Sequence, residues 1–128
     1  MSEKQEKALA CFASGRNCAQ AVLLAFAEEI GLSEADALQL AGCLGGGMGC
    51  GEVCGTVSAA MLVLGKKNLD VNAPDQAAEK MRVRKIGADF IRSFKERHTC
   101  VTCRELIQLN QKRMCPQFIS DVVGMLEE

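Results

Sequence analysis

The chain has 128 residues, of which 48% are hydrophobic and 24% are charged, and its formal net charge is −1 at pH 7. This length suits a single domain spanning residues 1–128, and the apolar fraction excludes intrinsic disorder. A near-neutral charge also excludes the basic surface that is typical of proteins that bind nucleic acid or anionic membranes. The unusual feature is a total of eight cysteines in a chain long and apolar enough to fold without disulfides.

Helical patterns dominate the chain, and strand signals are nearly absent. In chain order, the patterns predict helices over residues 3–13, 17–30, 33–43, 54–64 and 75–97, a sixth from Thr102 and a seventh from Cys115. Asn17 with Gln20 and Thr102 with Glu105 have the spacing of capping boxes, and Pro116 occupies a position that proline tolerates at a helix start. The sequence therefore predicts an all-α fold, a single compact bundle of six or seven helices.

A glycine-rich elbow, residues 42–55, interrupts the helical pattern with seven of the twelve glycines. It contains neither the G-x-G-x-x-G pattern of dinucleotide-binding proteins nor a phosphate-binding loop, and no strand precedes it. We expect the glycines to let backbone N–H groups approach sulfur atoms closely. The alternative interpretation is a tight crossing of two helices.

Four cysteines fall in the first turns of four different predicted helices: Cys18, Cys54, Cys103 and Cys115. A helix N-terminus carries unpaired N–H groups and a partial positive charge, which favour a thiolate. If the four helix starts converge, these residues form one pocket that could bind a cofactor or a metal. Taken singly, each cysteine could instead be a small buried residue of the core.

The other cysteines have weaker signals. Cys100 and Cys103 form a C-x-x-C pair and Cys50 lies four residues before Cys54, so Cys50 and Cys100 are candidate auxiliary ligands. Cys11 and Cys43 are predicted to be core residues. The single histidine, His98, is predicted to face solvent at the end of a helix, and a ligand role near Cys100 is the alternative.

Several segments together resemble the redox-active C_GCAxxG_C_C family: residues 12–22, 45–49 and 54–59, then Cys103 and residues 115–119. The resemblance covers most of the chain, from Phe12 to about Val123. It implies a small redox protein and assigns the four family cysteines to Cys18, Cys54, Cys103 and Cys115. A related domain of split-Soret cytochromes is associated with an iron–sulfur centre. The family's Cys-Gly-Ala-x-x-Gly stands here at residues 54–59, with alanine in place of the second glycine.

We therefore expect an electron-transfer or redox module that holds an iron–sulfur cluster on these four cysteines and works with a redox partner protein. Two alternatives stay open, a metal-free thiol–disulfide protein and a structural zinc-binding interaction domain. The sequence names neither a reaction nor an oligomeric state. The charged N-terminus and the shortness of the apolar runs predict a cytoplasmic protein without membrane insertion.

Overall fold

The computed structural model describes residues 1–128 and confirms the predicted all-α architecture. Seven α-helices follow one another, with a π-helical turn (Gly47–Gly51) in the glycine-rich elbow between α3 and α4. The helices are α1 (Glu3–Ala13), α2 (Cys18–Phe26), α3 (Glu34–Leu40), α4 (Gly55–Asn68), α5 (Gln76–His98), α6 (Cys103–Asn110) and α7 (Cys115–Glu127). No helix is both long and apolar enough to cross a membrane.

Helix α2 lies at the centre of the bundle and packs against α1, α3, α4 and α7. Apolar side chains on nearly all of its faces explain this position, since seven of its nine residues are buried. Burial of a residue such as Leu23 or Phe26 stabilises the fold by about 1.5–3 kcal/mol each. The first residue of the most buried helix is Cys18, which fixes this thiol inside the protein.

The predicted helices over residues 17–30 and 33–43 are both shorter in the structure. Gly31 adopts a left-handed backbone (φ 78°), which ends the turns that follow α2. Helix α3 ends at Leu40, and the turn after it brings Cys43 to the surface. The prediction that Cys43 belongs to the core is therefore wrong, whereas Cys11 is buried as predicted.

His98 is not the solvent-facing residue that the sequence predicts. Its side chain is 13% exposed, and its Nε2 lies 3.0 Å from Oδ2 of Asp121. The ring packs against Phe94 and Phe118, with centroid distances of 4.7 and 4.9 Å. The last turn of α5 faces α7, and a position at a helix end does not reveal such a tertiary contact.

Candidate cysteine site

The four cysteines at helix starts converge on one pocket. Cys54 is the N-cap residue of α4, and Cys18, Cys103 and Cys115 are the first residues of α2, α6 and α7. All four line the same pocket, which we call the cysteine site. Its remaining walls are mostly apolar and include Leu106, Ile107, Met114 and Phe118, together with the backbone of Gly46 and the side chain of Arg113.

A short antiparallel bridge between Val53 and Thr102 joins the segment that precedes Cys54 to the segment that precedes Cys103. The backbone N–H of Cys54 donates to the carbonyl of Val101 at 2.8 Å, and that of Cys103 donates to the carbonyl of Glu52 at 2.7 Å. These bonds join the start of α4 to the start of α6, although the two cysteines are far apart in sequence. Strand patterns in the sequence do not predict the bridge, because it consists of a single residue pair.

Gly55 makes room for the sulfur of Cys18. A Cβ at this position would lie 2.7 Å from Sγ of Cys18 and 2.9 Å from the carbonyl oxygen of Leu44. The backbone at the start of α4 can therefore approach this thiol only because residue 55 has no side chain. At Gly45, in contrast, a Cβ would lie 2.5 Å from Cβ of Asn17, so this glycine permits a close approach of two chain segments. The glycines of the elbow thus allow close contacts with a sulfur atom at one residue and with the start of α2 at another.

The elbow turns through four consecutive left-handed residues, Gly46, Gly47, Met48 and Gly49, with φ between 58° and 70°. Met48 is the only one with a side chain, and a left-handed backbone is uncommon for such a residue. This run aligns Gly46 with the wall of the cysteine site and leaves the Met48 side chain half exposed. Glycine residues predict that the backbone can adopt this left-handed conformation, but nothing in the sequence predicts the conformation for Met48.

The four thiols differ in burial. Cys18 and Cys54 are each 6% exposed, whereas Cys103 and Cys115 are only partly buried. The cysteine site therefore has a closed side, formed by α2 and α4, and a side formed by α6 and α7 that is nearer to solvent.

Burial governs the electrostatics of two of these thiols. Desolvation is the main cause that raises the pKa of Cys54 to about 11, with a smaller contribution from the nearby Cys18, and hydrogen bonds from Thr56 oppose it. Desolvation also raises the pKa of Cys115, as do Cys18 and Cys103, while Arg113 lowers it. The expectation that helix N-termini make all four cysteines thiolates is therefore wrong for Cys54 and Cys115. The loss of water at these positions outweighs the partial charge of the helix end.

The candidate auxiliary cysteines lie outside the cysteine site. Cys50 is exposed on the elbow, where its carbonyl accepts a hydrogen bond from Nη2 of Arg104 at 2.9 Å. Cys100 lies in a separate surface groove with Thr99 and Glu105. As the side chains stand, no group of three or more His, Cys, Asp or Glu residues is close enough to hold a metal ion.

Sequence reasoning missed two polar residues of the site. The hydroxyl of Thr56 lies 3.0 Å from Sγ of Cys54 in the buried interior. Arg113 lines the pocket beside Cys115 and is the charged side chain among its lining residues. Each of them lies two residues from a site cysteine, Thr56 from Cys54 and Arg113 from Cys115, and this closeness in sequence could have identified them.

The comparisons with known proteins agree with the ordered cysteine motifs. A family described as "Putative redox-active protein (C_GCAxxG_C_C)" matches residues 16–128, which include the whole cysteine site. No curated protein and no solved structure matches the chain. The resemblance noted from the sequence is confirmed, and the chain belongs to the redox-active C_GCAxxG_C_C family.

Proposed function

We propose that this protein is a redox module that binds an iron–sulfur cluster through Cys18, Cys54, Cys103 and Cys115. The observation that carries the proposal is that four cysteine side chains, supplied by the starts of four helices, line one pocket with apolar walls. Cysteine thiolates are the ligands that hold iron–sulfur clusters in proteins. Membership of a redox-active family supports the same reading.

The residues present fit such a group in their chemistry. Four cysteines line one pocket, and the missing side chain of Gly55 leaves room for the sulfur of Cys18. When bound, an iron–sulfur cluster supplies one-electron transfer at a potential set by hydrogen bonds to sulfur and by solvent exposure. The buried side chains of Leu106 and Phe118 line the pocket and exclude water from part of it, and Cys103 and Cys115 form the side from which a redox partner would approach.

Burial of Cys54 and Cys115 argues against thiol–disulfide exchange at these two residues. A thiol–disulfide protein needs a thiolate at neutral pH, and burial keeps Cys54 and Cys115 protonated there. A bound metal, in contrast, displaces the protons of its cysteine ligands, and the raised pKa values make this ligation more favourable as the pH rises. We therefore rank the metal-free redox protein below the cluster.

Structural zinc is the second candidate, and the size of the pocket favours it. The enclosed cavity has a volume of about 20 Å³, within about 330 Å³ of empty space that includes the open mouth. A cavity of this enclosed size holds one water molecule, so a single ion needs less rearrangement than a cluster of several atoms. Four-cysteine sites are also chemically suited to zinc.

Anaerobic purification followed by iron, sulfide and zinc analysis tests the proposal. We expect iron and sulfide together with a visible absorption spectrum, and the absence of Trp and Tyr simplifies the near-ultraviolet region. Serine substitution at any of the four site cysteines should reduce iron content, and Cys50→Ser and Cys100→Ser serve as controls that leave it unchanged.

The other results separate the alternatives. Protein that holds neither iron nor sulfide after anaerobic purification and reconstitution would overturn the cluster proposal. Stoichiometric zinc without a redox response would establish the zinc site instead. Reversible loss of two or four thiols in metal-free protein would establish thiol–disulfide chemistry.

A further inference from the structure

Thr56 is a fully buried residue of the first turn of α4, and its hydroxyl meets the cysteine site directly. Oγ1 of Thr56 lies 3.0 Å from Sγ of Cys54, and Thr56 makes no other side-chain hydrogen bond. A buried hydroxyl costs free energy unless it is hydrogen-bonded, and valine would fill the same space without that cost. The hydroxyl at this position therefore has the sulfur of Cys54 as its partner.

The protonation state of the sulfur determines the direction of this hydrogen bond. In a thiol–hydroxyl pair either group can donate, and the distance alone does not distinguish them. A thiolate has no proton, so only the hydroxyl can donate to it. A hydrogen bond to a charged acceptor is also about twice as strong as a neutral one. The contact is thus strongest when Cys54 binds a metal as a thiolate.

We propose that Thr56 is a positioning residue that restrains Sγ of Cys54 within the cysteine site and stabilises the negative charge that this sulfur carries as a ligand. The proposal rests on the function proposed above. The donated hydrogen bond strengthens metal binding, because it is stronger to the charged sulfur of a ligand than to the sulfur of a neutral thiol. It also raises the reduction potential of a bound cluster, because the reduced state places more negative charge on the ligand sulfurs.

Two substitutions separate the hydroxyl from the shape of the side chain. Thr56→Val removes the donor at nearly constant volume, and Thr56→Ser keeps the donor. Ser58→Ala is a matched control on the same helix, because Ser58 is only partly buried and its side chain makes no hydrogen bond in the structure. Far-ultraviolet circular dichroism and urea unfolding of each variant establish that the fold is retained.

The first measurement is a titration of metal-free protein with Cd²⁺ at pH 7, followed by sulfur-to-metal absorption. We expect Thr56→Val to bind Cd²⁺ roughly tenfold more weakly than wild type, the lower range for loss of a hydrogen bond to a metal ligand. Thr56→Ser should bind within a few-fold of wild type. The second measurement is the potential of the reconstituted cluster, which should be more negative in Thr56→Val and restored in Thr56→Ser.

The outcomes distinguish this inference from the proposed function. A folded Thr56→Val variant with wild-type Cd²⁺ affinity and wild-type potential overturns the role of Thr56 and leaves the cluster proposal standing. A Thr56→Ser variant that behaves like Thr56→Val also overturns it, since shape and not hydrogen bonding would then explain the effect. Wild-type protein that takes up neither Cd²⁺ nor a cluster overturns both.

Discussion

Replacement of Gly55 by alanine tests whether the cysteine site depends on the close contact between the start of α4 and the sulfur of Cys18. The new Cβ would lie 2.7 Å from Sγ of Cys18, 2.9 Å from the carbonyl oxygen of Leu44 and 3.3 Å from Cβ of Ala19. The thiol can rotate away from the methyl group, but the carbonyl oxygen belongs to the backbone. The backbone of the elbow or of α4 must therefore shift.

The expected magnitude follows from two opposing terms. Overpacking of a tight interior costs about 1–3 kcal/mol, and exchange of glycine for alanine in a helix returns up to about 1 kcal/mol. We expect a net loss of about 2 kcal/mol in the free energy of unfolding, since one of the short contacts is with backbone. For a chain of this length the melting temperature should fall by about 6–10 °C.

Gly65→Ala is the matched control, because Gly65 lies in the same helix and a Cβ there would meet nothing within 4 Å. This variant should be more stable than wild type by about 0.5–1 kcal/mol. The assay is urea unfolding of metal-free, reduced protein monitored at 222 nm. If Gly55→Ala is as stable as wild type, the contact at Cys18 does not constrain the site and our reasoning is refuted.

Three further predictions concern packing and pH. Leu106→Ala should lower the free energy of unfolding by about 2–5 kcal/mol, because Leu106 is fully buried. Leu109 is exposed on the same helix, and Leu109→Ala should change this free energy by less than about 0.5 kcal/mol. Equal urea midpoints for the two variants would contradict the packing of α6 through Leu106. Hydrogen bonds from Arg82 and from the backbone of Asp70 hold the pKa of Glu79 at about 2, below its ordinary 4.5. The ionised Glu79 therefore stabilises the fold fully above pH 4.5, and this stabilisation is lost as the pH falls towards 2. The urea midpoint of Glu79→Gln should therefore lie below that of wild type at pH 6, and the gap should close in acid; a constant gap would argue against the ionised contact. Burial raises the pKa of Cys54 from 9.0 to about 11, so the metal-free protein should lose stability as the pH rises from 9 towards 11. The Cys54→Ser variant should lose less stability over the same range. Parallel profiles of stability against pH for the two proteins would contradict the raised pKa of this thiol.

The sequence predicted the helix starts well, because local hydrogen-bond rules determine them. Asn17 and Gln20 form the expected capping box, and Thr102 caps α6 by accepting from the N–H of Glu105. Placement of four cysteines at these starts was therefore readable from short segments. Their convergence on one pocket depends on how the helices pack. Short sequence segments do not determine this packing, so the sequence alone did not predict the convergence.

Properties that depend on tertiary burial were beyond the sequence. The helix-end argument for Cys54 considered a local charge, but the structure surrounds this thiol with apolar groups and reverses the direction of its pKa shift. His98 was assigned to solvent by its place at a helix end, and the aromatic rings of Phe94 and Phe118 cover it instead. Cys43 was assigned to the core because it has no position at a helix start, and the turn after α3 exposes it instead.

The bridge between Val53 and Thr102 has a consequence for local opening of the protein. The amides of Cys54 and Cys103 both lose their partners when the elbow separates from the start of α6, since each donates across that junction. In native-state hydrogen exchange, these two amides would therefore exchange through the same fluctuation. A cofactor that ties the two sulfurs together would slow both amides by the same factor, so a backbone measurement would report on occupancy of the site.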